Sequence, residues 1–227
     1  MAAPPEAGSS PIGRRPRDLW VELIRPLRRR AGTLRSDAVF IWHARVLPRP
    51  VAVLQVRSRL LARRTGDLFS LTSATRPSDL VTLLELARGR THVVELGTGT
   101  AWTAAALAAA DPRRSVVSFD PVARPERERY LALLGARARG RVQLIQAPGA
   151  NGPPSDAPVD MLYIDSSHAR DDVIAEFRAW TPVLASGALV VLDDYGNADY
   201  PGVAQAVAEL GLPGTADGTL FVHVHRR

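Results

Sequence analysis

HVVELGTGTAWTAAALAAA, residues 92–110, changes rhythm twice within one short span. His92 to Leu96 is a short apolar run that suits a buried strand, Gly97-Thr98-Gly99-Thr100 is a tight turn, and the alanine-rich run to Ala110 suits a helix. The same phrasing recurs downstream. Val116–Phe119 predicts a second strand, stopped by Asp120-Pro121, and Glu126–Leu134 a helix closed by Gly135. Val142–Ile145 and Val159–Ile164 predict the third and fourth strands, Asp171–Leu184 a helix, and Ala188–Leu192 the fifth strand. A helix over Val203–Leu210 and a last strand over Thr219–Val224 finish the chain. Upstream, Pro77 suits the first turn of a helix that runs to about Arg88 before Gly89. Apolar strands alternating with helices predict a doubly wound, mostly parallel α/β sheet covered on both faces, with ligand sites at the C-terminal ends of its strands.

N-terminal to this region the composition shifts. Residues 1–64 carry 14 arginines against four acids, a net charge of +10, whereas residues 65–227 carry 15 arginines against 19 acids, a net of −4. Residues 1–18 hold four prolines and no apolar run that could serve as a signal-peptide core, so they read as a disordered tail. Residues 19–64 alternate apolar residues with arginines, which predicts a basic helical extension acting as a lid or an oligomer contact, with residues 65–227 as the main domain. No run approaches the roughly 20 apolar residues of a membrane span, and the expected location is the cytoplasm. The 227 residues contain no cysteine and no lysine. That excludes disulfides, thiolate metal sites, cysteine nucleophiles, lysine Schiff bases and a P-loop lysine.

The turn Gly97-Thr98-Gly99-Thr100-Ala101 lets the backbone approach a ligand closely, and the free amides that open the next helix favour an anionic group. A dinucleotide fingerprint would want glycine at position 102, where Trp102 stands, which argues against NAD. Glu95 followed by alternating glycines instead resembles the S-adenosylmethionine loop of class I methyltransferases, with Ala101 at the place of the usual third glycine. Asp120, at the end of the second strand, suits the two hydroxyls of an adenosine ribose. The loop after the third strand, Gln146-Ala147-Pro148-Gly149, lacks the acid that many such enzymes place near the adenine.

Residues 159–195 carry the chemistry: VDMLYIDSSHARDDVIAEFRAWTPVLASGALVVLDDY. Asp165 closes the fourth strand and Asp193-Asp194 the fifth. Adjacent parallel strands bring these tips together, and three carboxylates at one mouth are costly unless a cation or protons compensate. Oxygen donors of this kind select magnesium, calcium or manganese. His168 shares the loop of Asp165, and an unperturbed imidazole pKa of about 6.5 suits proton removal.

Asp165-x-x-His168, with Val173, Glu176, Trp180, Leu184, Gly187 and then Asp193-Asp194-Tyr195, resembles the metal-dependent O-methyltransferases of macrolide sugars and their cephalosporin-pathway and rhamnosyl relatives. The resemblance spans about residues 70–210. It implies that Asp165, Asp193 and Asp194 hold Mg²⁺, that the metal binds acceptor hydroxyls, and that His168 takes the proton as oxygen attacks the sulfonium methyl. It implies cofactor contacts at Glu95, Gly97, Thr98, Gly99, Asp120 and Asp165. Ser166-Ser167 and Ala169-Arg170 depart from the usual Gly-Asp and following aromatic residue, so the acceptor's identity does not carry over.

The expectation is a Mg²⁺- and S-adenosylmethionine-dependent O-methyltransferase of a small hydroxylated molecule, such as a sugar or natural product, working as a homo-oligomer. One alternative is RNA or a lipid headgroup as acceptor, drawn to the basic N-terminal quarter with peripheral membrane contact, although no RNA-binding module is legible. Another is a non-catalytic binding protein on the same fold.

Overall fold

The sheet has seven strands in the order β3-β2-β1-β4-β5-β7-β6. It is seen in a computed structural model that describes residues 37–226. The strands are β1 (His92–Leu96), β2 (Ser115–Phe119), β3 (Val142–Ile145), β4 (Val159–Ile164), β5 (Leu184–Leu192), β6 (Gly214–Asp217) and β7 (Leu220–Val224). The first five are mutually parallel, whereas β7 runs antiparallel to β5, and β6 antiparallel to β7. The expected doubly wound α/β sheet is therefore the one observed, with an antiparallel edge added.

Side-chain alternation along the strands sorts the core into two layers. Val93, Met161, Tyr163, Leu189 and Val191 face one layer, while Val94, Leu96, Leu162, Ile164, Val190 and Leu192 face the other. Burial on both faces explains why these strands read as continuous apolar runs. The first layer is filled by α1 (Arg49–Thr65), α3 (Pro77–Leu86) and α4 (Trp102–Ala110). In α4, Ala104, Ala105, Ala106 and Ala108 are at most 1% exposed; small side chains on every side let this helix lie close to the strands. The second layer is filled by α7 (Arg170–Trp180) and α8 (Pro201–Leu210), through Val173, Ile174, Phe177, Trp180, Val203 and Ala206. Short helices α2 (Leu68–Ser73), α5 (Glu126–Leu131) and α6 (Ala136–Arg139) complete the set.

Several boundaries differ from the sequence expectation, each for an identifiable reason. The chain divides into compact units between Trp42 and His43, not at Thr65. Val51, Leu54 and Ala62 on the inner face of α1 are in the core cluster or fully buried, so this arginine-rich helix is a wall of the main unit rather than a detachable extension. Of the first unit, residues 37–42 are described, and they are helical; the expected tail over residues 1–18 and most of the basic region before residue 37 lie outside the described residues. Helix α7 ends at Trp180, followed by a 3₁₀ turn over Thr181–Val183, because Pro182 has no amide hydrogen to continue the ladder. Strand β5 then starts four residues before the expected Ala188, with a register shift against β4 and Gly187 at φ 81°. The predicted helix over Glu126–Leu134 ends at Leu131 as α5, and the separate short helix α6 begins just after Gly135.

Strand β6 escaped sequence reading because all four of its residues are exposed. It exists through pairing with β7 across a tight turn in which Asp217 lies opposite Leu220. Asp217-Gly218, with Gly218 at φ 61°, is the local signal that could have found it. Among the described residues, no helix is long and apolar enough to cross a membrane.

Candidate active site

A cavity of about 950 Å³ opens at the C-terminal ends of β1, β2, β4 and β5. The turn after β1 forms its floor. Gly97, Gly99 and Ala101 have φ of 102°, 51° and 68°, so three alternate residues in left-handed conformation swing the chain from strand to helix. Gly97 has no room for a side chain, since a Cβ there would lie 1.8 Å from the Asp165 carbonyl oxygen at the tip of β4. Ala101 takes its strained conformation at the N-cap of α4, where an alanine costs roughly 1–2 kcal/mol more than a glycine.

Glu95 does not line the cavity. It is 1% exposed and accepts a hydrogen bond from the Ser118 hydroxyl, which also lies 2.7 Å from the Thr98 hydroxyl. Burial pushes its carboxyl up to about 8, with the charges of Asp165 and Asp120 adding to the shift and the Ser118 bond opposing it. Glu95, expected from the sequence as a cofactor contact, thus lies behind the turn, linked to Thr98 through Ser118. Thr98 and both glycines line the cavity directly.

Asp120 stands at the tip of β2 and also lines the cavity. Its carboxylate accepts from the Gly99 amide (2.9 Å) and the Val122 amide (2.7 Å), and Arg127 Nη2 lies 2.6 Å away. Arg127 Nε donates to the Gly99 carbonyl (2.8 Å). This buried arginine therefore ties the β1 turn to the β2 acid. Sequence reading missed it because Glu126-Arg127-Glu128-Arg129 looks like a solvated helix face.

On the other side, register pairs Tyr163 of β4 with Val191 and Ile164 with Leu192, which brings Asp165, Asp193 and Asp194 to one rim of the cavity. They do not converge evenly. His168 Nε2 lies 3.3 Å from Asp165 Oδ1 and 3.6 Å from Asp194 Oδ2. Asp193 is turned toward its own strand: it accepts from the Tyr163 hydroxyl (2.9 Å) and the Asp194 amide (2.9 Å). Tyr163, fully buried and unnoticed as anything but core, sits 3.2 Å from Asp165 as well. One phenol proton is thus offered to two carboxylates. Burial raises the Asp193 carboxyl to about 7, helped by the Asp165 charge, and raises Asp165 too. Burial opposes charging His168, but the Asp165 contact and the Asp194 and Asp193 charges outweigh it and hold the ring above its usual range.

His168 and Asp194 adopt φ of 58° and 55°. Such conformations cost on the order of 1–3 kcal/mol each and persist where the surroundings impose them. Here Asn197 Nδ2 donates to Asp194 Oδ1 (2.8 Å), and the Tyr200 ring lies against the His168 ring with centroids 4.6 Å apart. The His168 Nε2 atom is buried without a hydrogen-bond partner. Among the described residues, no three histidine or acidic side chains stand as a preassembled metal-binding cluster.

A parallel sheet with a glycine turn after β1, an acid at the tip of β2 and an acidic rim over β4 and β5 is the arrangement that the resemblance to class I methyltransferases predicts. Residues 94–195, somewhat under half of the chain, match the family model described as a methyltransferase domain. Solved structures share the fold. The TDP-rhamnose 3′-O-methyltransferase CalS11 of calicheamicin biosynthesis, in its apo form, aligns over 75% of this chain and 93% of its own, at 16% identity and TM-score 0.54. Cofactor-bound Rv0187 from MTB aligns over 75% and 91%, at 20% identity and TM-score 0.59. The O-methyltransferase TomG of tomaymycin synthesis from Streptomyces achromogenes, in complex with SAM, aligns over 72% and 86%, at 23% identity and TM-score 0.53. No curated protein matches the chain.

Proposed function

We propose that the protein methylates a hydroxyl of a small molecule, with His168 taking the proton and a divalent cation, Mg²⁺, assisting. The observation that carries this reading is His168 Nε2 at the cavity wall, buried 3.3 Å from Asp165 Oδ1 and 3.6 Å from Asp194 Oδ2 but without a well-aligned hydrogen bond. An acceptor hydroxyl brought to this nitrogen would give it an aligned hydrogen bond and a proton to take. The Asp165 charge favours the imidazolium that forms, and the Tyr200 ring lies tilted against the imidazole. A cavity of about 950 Å³ has room for the cofactor and a small acceptor. CalS11 and TomG, by their descriptions, are O-methyltransferases of natural-product pathways, which favours a sugar or related hydroxylated compound.

The donor chemistry fits a hard cation. Asp165, Asp193 and Asp194 offer oxygen only, and burial raises the Asp165 and Asp193 carboxyls, a cost of ionisation that a bound cation would offset. These three residues would hold the ion, which when bound lowers the pKa of a coordinated hydroxyl.

The test is methyl transfer to a panel of hydroxylated sugars and phenols, with and without EDTA, and in Asp194→Asn and His168→Ala. EDTA and Asp194→Asn should depress kcat while binding of S-adenosylhomocysteine persists. His168→Ala should lower kcat by about 10²–10⁴-fold. Full activity after chelation would remove the cation from the reading, and an undiminished His168→Ala enzyme would remove the base.

A further inference from the structure

The loop after β3 carries no acid, yet an acid reaches the same spot from elsewhere. Glu176 projects from α7, is 6% exposed and lines the cavity beside Pro148, Gly149 and Ser166. Its Oε2 accepts from the Ser166 hydroxyl (2.6 Å). Its Oε1 occupies the space that Gly149 leaves by lacking a side chain: a Cβ on Gly149 would come within 2.7 Å of it. Trp180, one turn further along α7, donates its indole N–H to the Gly149 carbonyl (2.8 Å) and pins the loop against the helix. Among the described residues, no hydrogen-bond donor reaches Oε1. Burial raises the Glu176 carboxyl, with the Ser166 bond opposing the shift, so a further donor at Oε1 would stabilise its charged form.

We infer that Glu176 is the adenine-recognising acid of this enzyme, accepting a hydrogen bond from the exocyclic amine of the cofactor's base through Oε1. The inference rests on the cofactor reading above and assigns one further contact within it. Asp120 marks the ribose end of the cavity, and the next loop along the sheet edge is the one after β3. A base continuing from that ribose meets Phe119, Pro121 and Val122 as apolar surface and the Gly149–Glu176 corner as its polar end. A flat heteroaromatic ring with one amine suits such a slot, because a single well-placed acceptor sets orientation while apolar contacts supply affinity. Gly149 fits the same logic, since any side chain there would displace Oε1.

The experiment is calorimetric binding of S-adenosylhomocysteine and its 6-oxo counterpart S-inosylhomocysteine to the full-length wild-type protein and to Glu176→Gln. A carboxylate accepts from the 6-amine and repels a 6-oxygen. The wild type should therefore prefer the adenine compound by about 10- to 100-fold, the worth of a hydrogen bond to a charged group. The glutamine offers an N–H₂ as well as an oxygen, so the preference should collapse toward unity or invert. The same ratio in variant and wild type would overturn the inference, because both compounds carry the same ribose and amino-acid moiety. A wild type that binds both compounds equally would overturn it without any variant, which covers failure of Glu176→Gln to fold. Loss of both compounds by the wild type would overturn the cofactor reading itself, and the inference with it.

Discussion

Gly97 and Gly99 look interchangeable as letters of one turn, but the structure separates them. Consider Gly97→Ala against Gly99→Ala. At Gly99, φ is 51° and the nearest atom to a new Cβ is Phe69 Cε1 at 3.8 Å; the cost is the left-handed conformation alone, roughly 1–2 kcal/mol. At Gly97, φ is 102° and a Cβ would sit 1.8 Å from the Asp165 carbonyl oxygen and 2.5 Å from its carbon. Both atoms are backbone and cannot swing aside. Opening that contact by more than about 1 Å pulls on the Asp165 amide bond to Leu96 O and the Gly97 amide bond to Phe119 O, both 2.8 Å. Each buried hydrogen bond left unmade costs about 1–3 kcal/mol, so two of them with backbone strain of about 1–3 kcal/mol bring the total to about 3–9 kcal/mol. A domain of this size has only about 5–15 kcal/mol in hand. Urea unfolding should thus rank wild type above Gly99→Ala and Gly97→Ala far below, with S-adenosylhomocysteine binding lost in the latter alone. Equal midpoints for the two variants, within about 0.5 kcal/mol, would refute the packing argument.

Two further outcomes follow from buried charges. With its carboxyl pushed up to about 8 in the fold from an ordinary value of 4.5, Glu95 holds its proton in the fold while the unfolded chain gives it up. Its stabilising contribution is fully present below about pH 4.5 and is lost as pH rises toward 8, at roughly 1.4 kcal/mol per unit. Glu95→Gln should therefore gain on the wild type steadily between pH 5 and 8 in urea midpoints, and parallel pH profiles would count against the buried proton. Arg127→Met leaves Asp120 without its cation and Gly99 O without a donor; removing one member of a buried pair costs about 3–5 kcal/mol. A loss below about 1 kcal/mol in thermal unfolding would show that the pair is solvated.

The fold was largely legible because its signals are local. Strands β1, β3 and β4 have the ends expected from sequence, since each is an apolar run bounded by turn residues. Misreadings fell where a partner far along the chain prevailed. Strand β6 has no apolar residue but Ala216 and exists through β7. Helix α1 reads as a basic extension because its arginines dominate the letters, while its inner face is decided by what lies across from Val51 and Leu54. Residues of the site divide in the same way. Gly97, Gly99, Asp120, Asp165, His168 and Asp194 all line the cavity, as their places at strand ends suggested. The setting of Glu95 was not legible, because a strand's last residues alternate between its two faces and nothing local says which one backs onto Ser118.

Sequence alone determined the alternation of strand and helix, the sharp turn after β1 and the presence of acids at three strand tips, because hydrophobic period, glycine and proline act on near neighbours. Tertiary structure alone decided that Asp193 turns to Tyr163 while Asp194 turns to His168, that Arg127 clamps the turn, and that Glu176 fills the corner left by Gly149. Those contacts join residues up to 30 positions apart, across parallel strands and the helices packed on them. Their geometry follows from register and burial, which leave no mark on neighbouring letters.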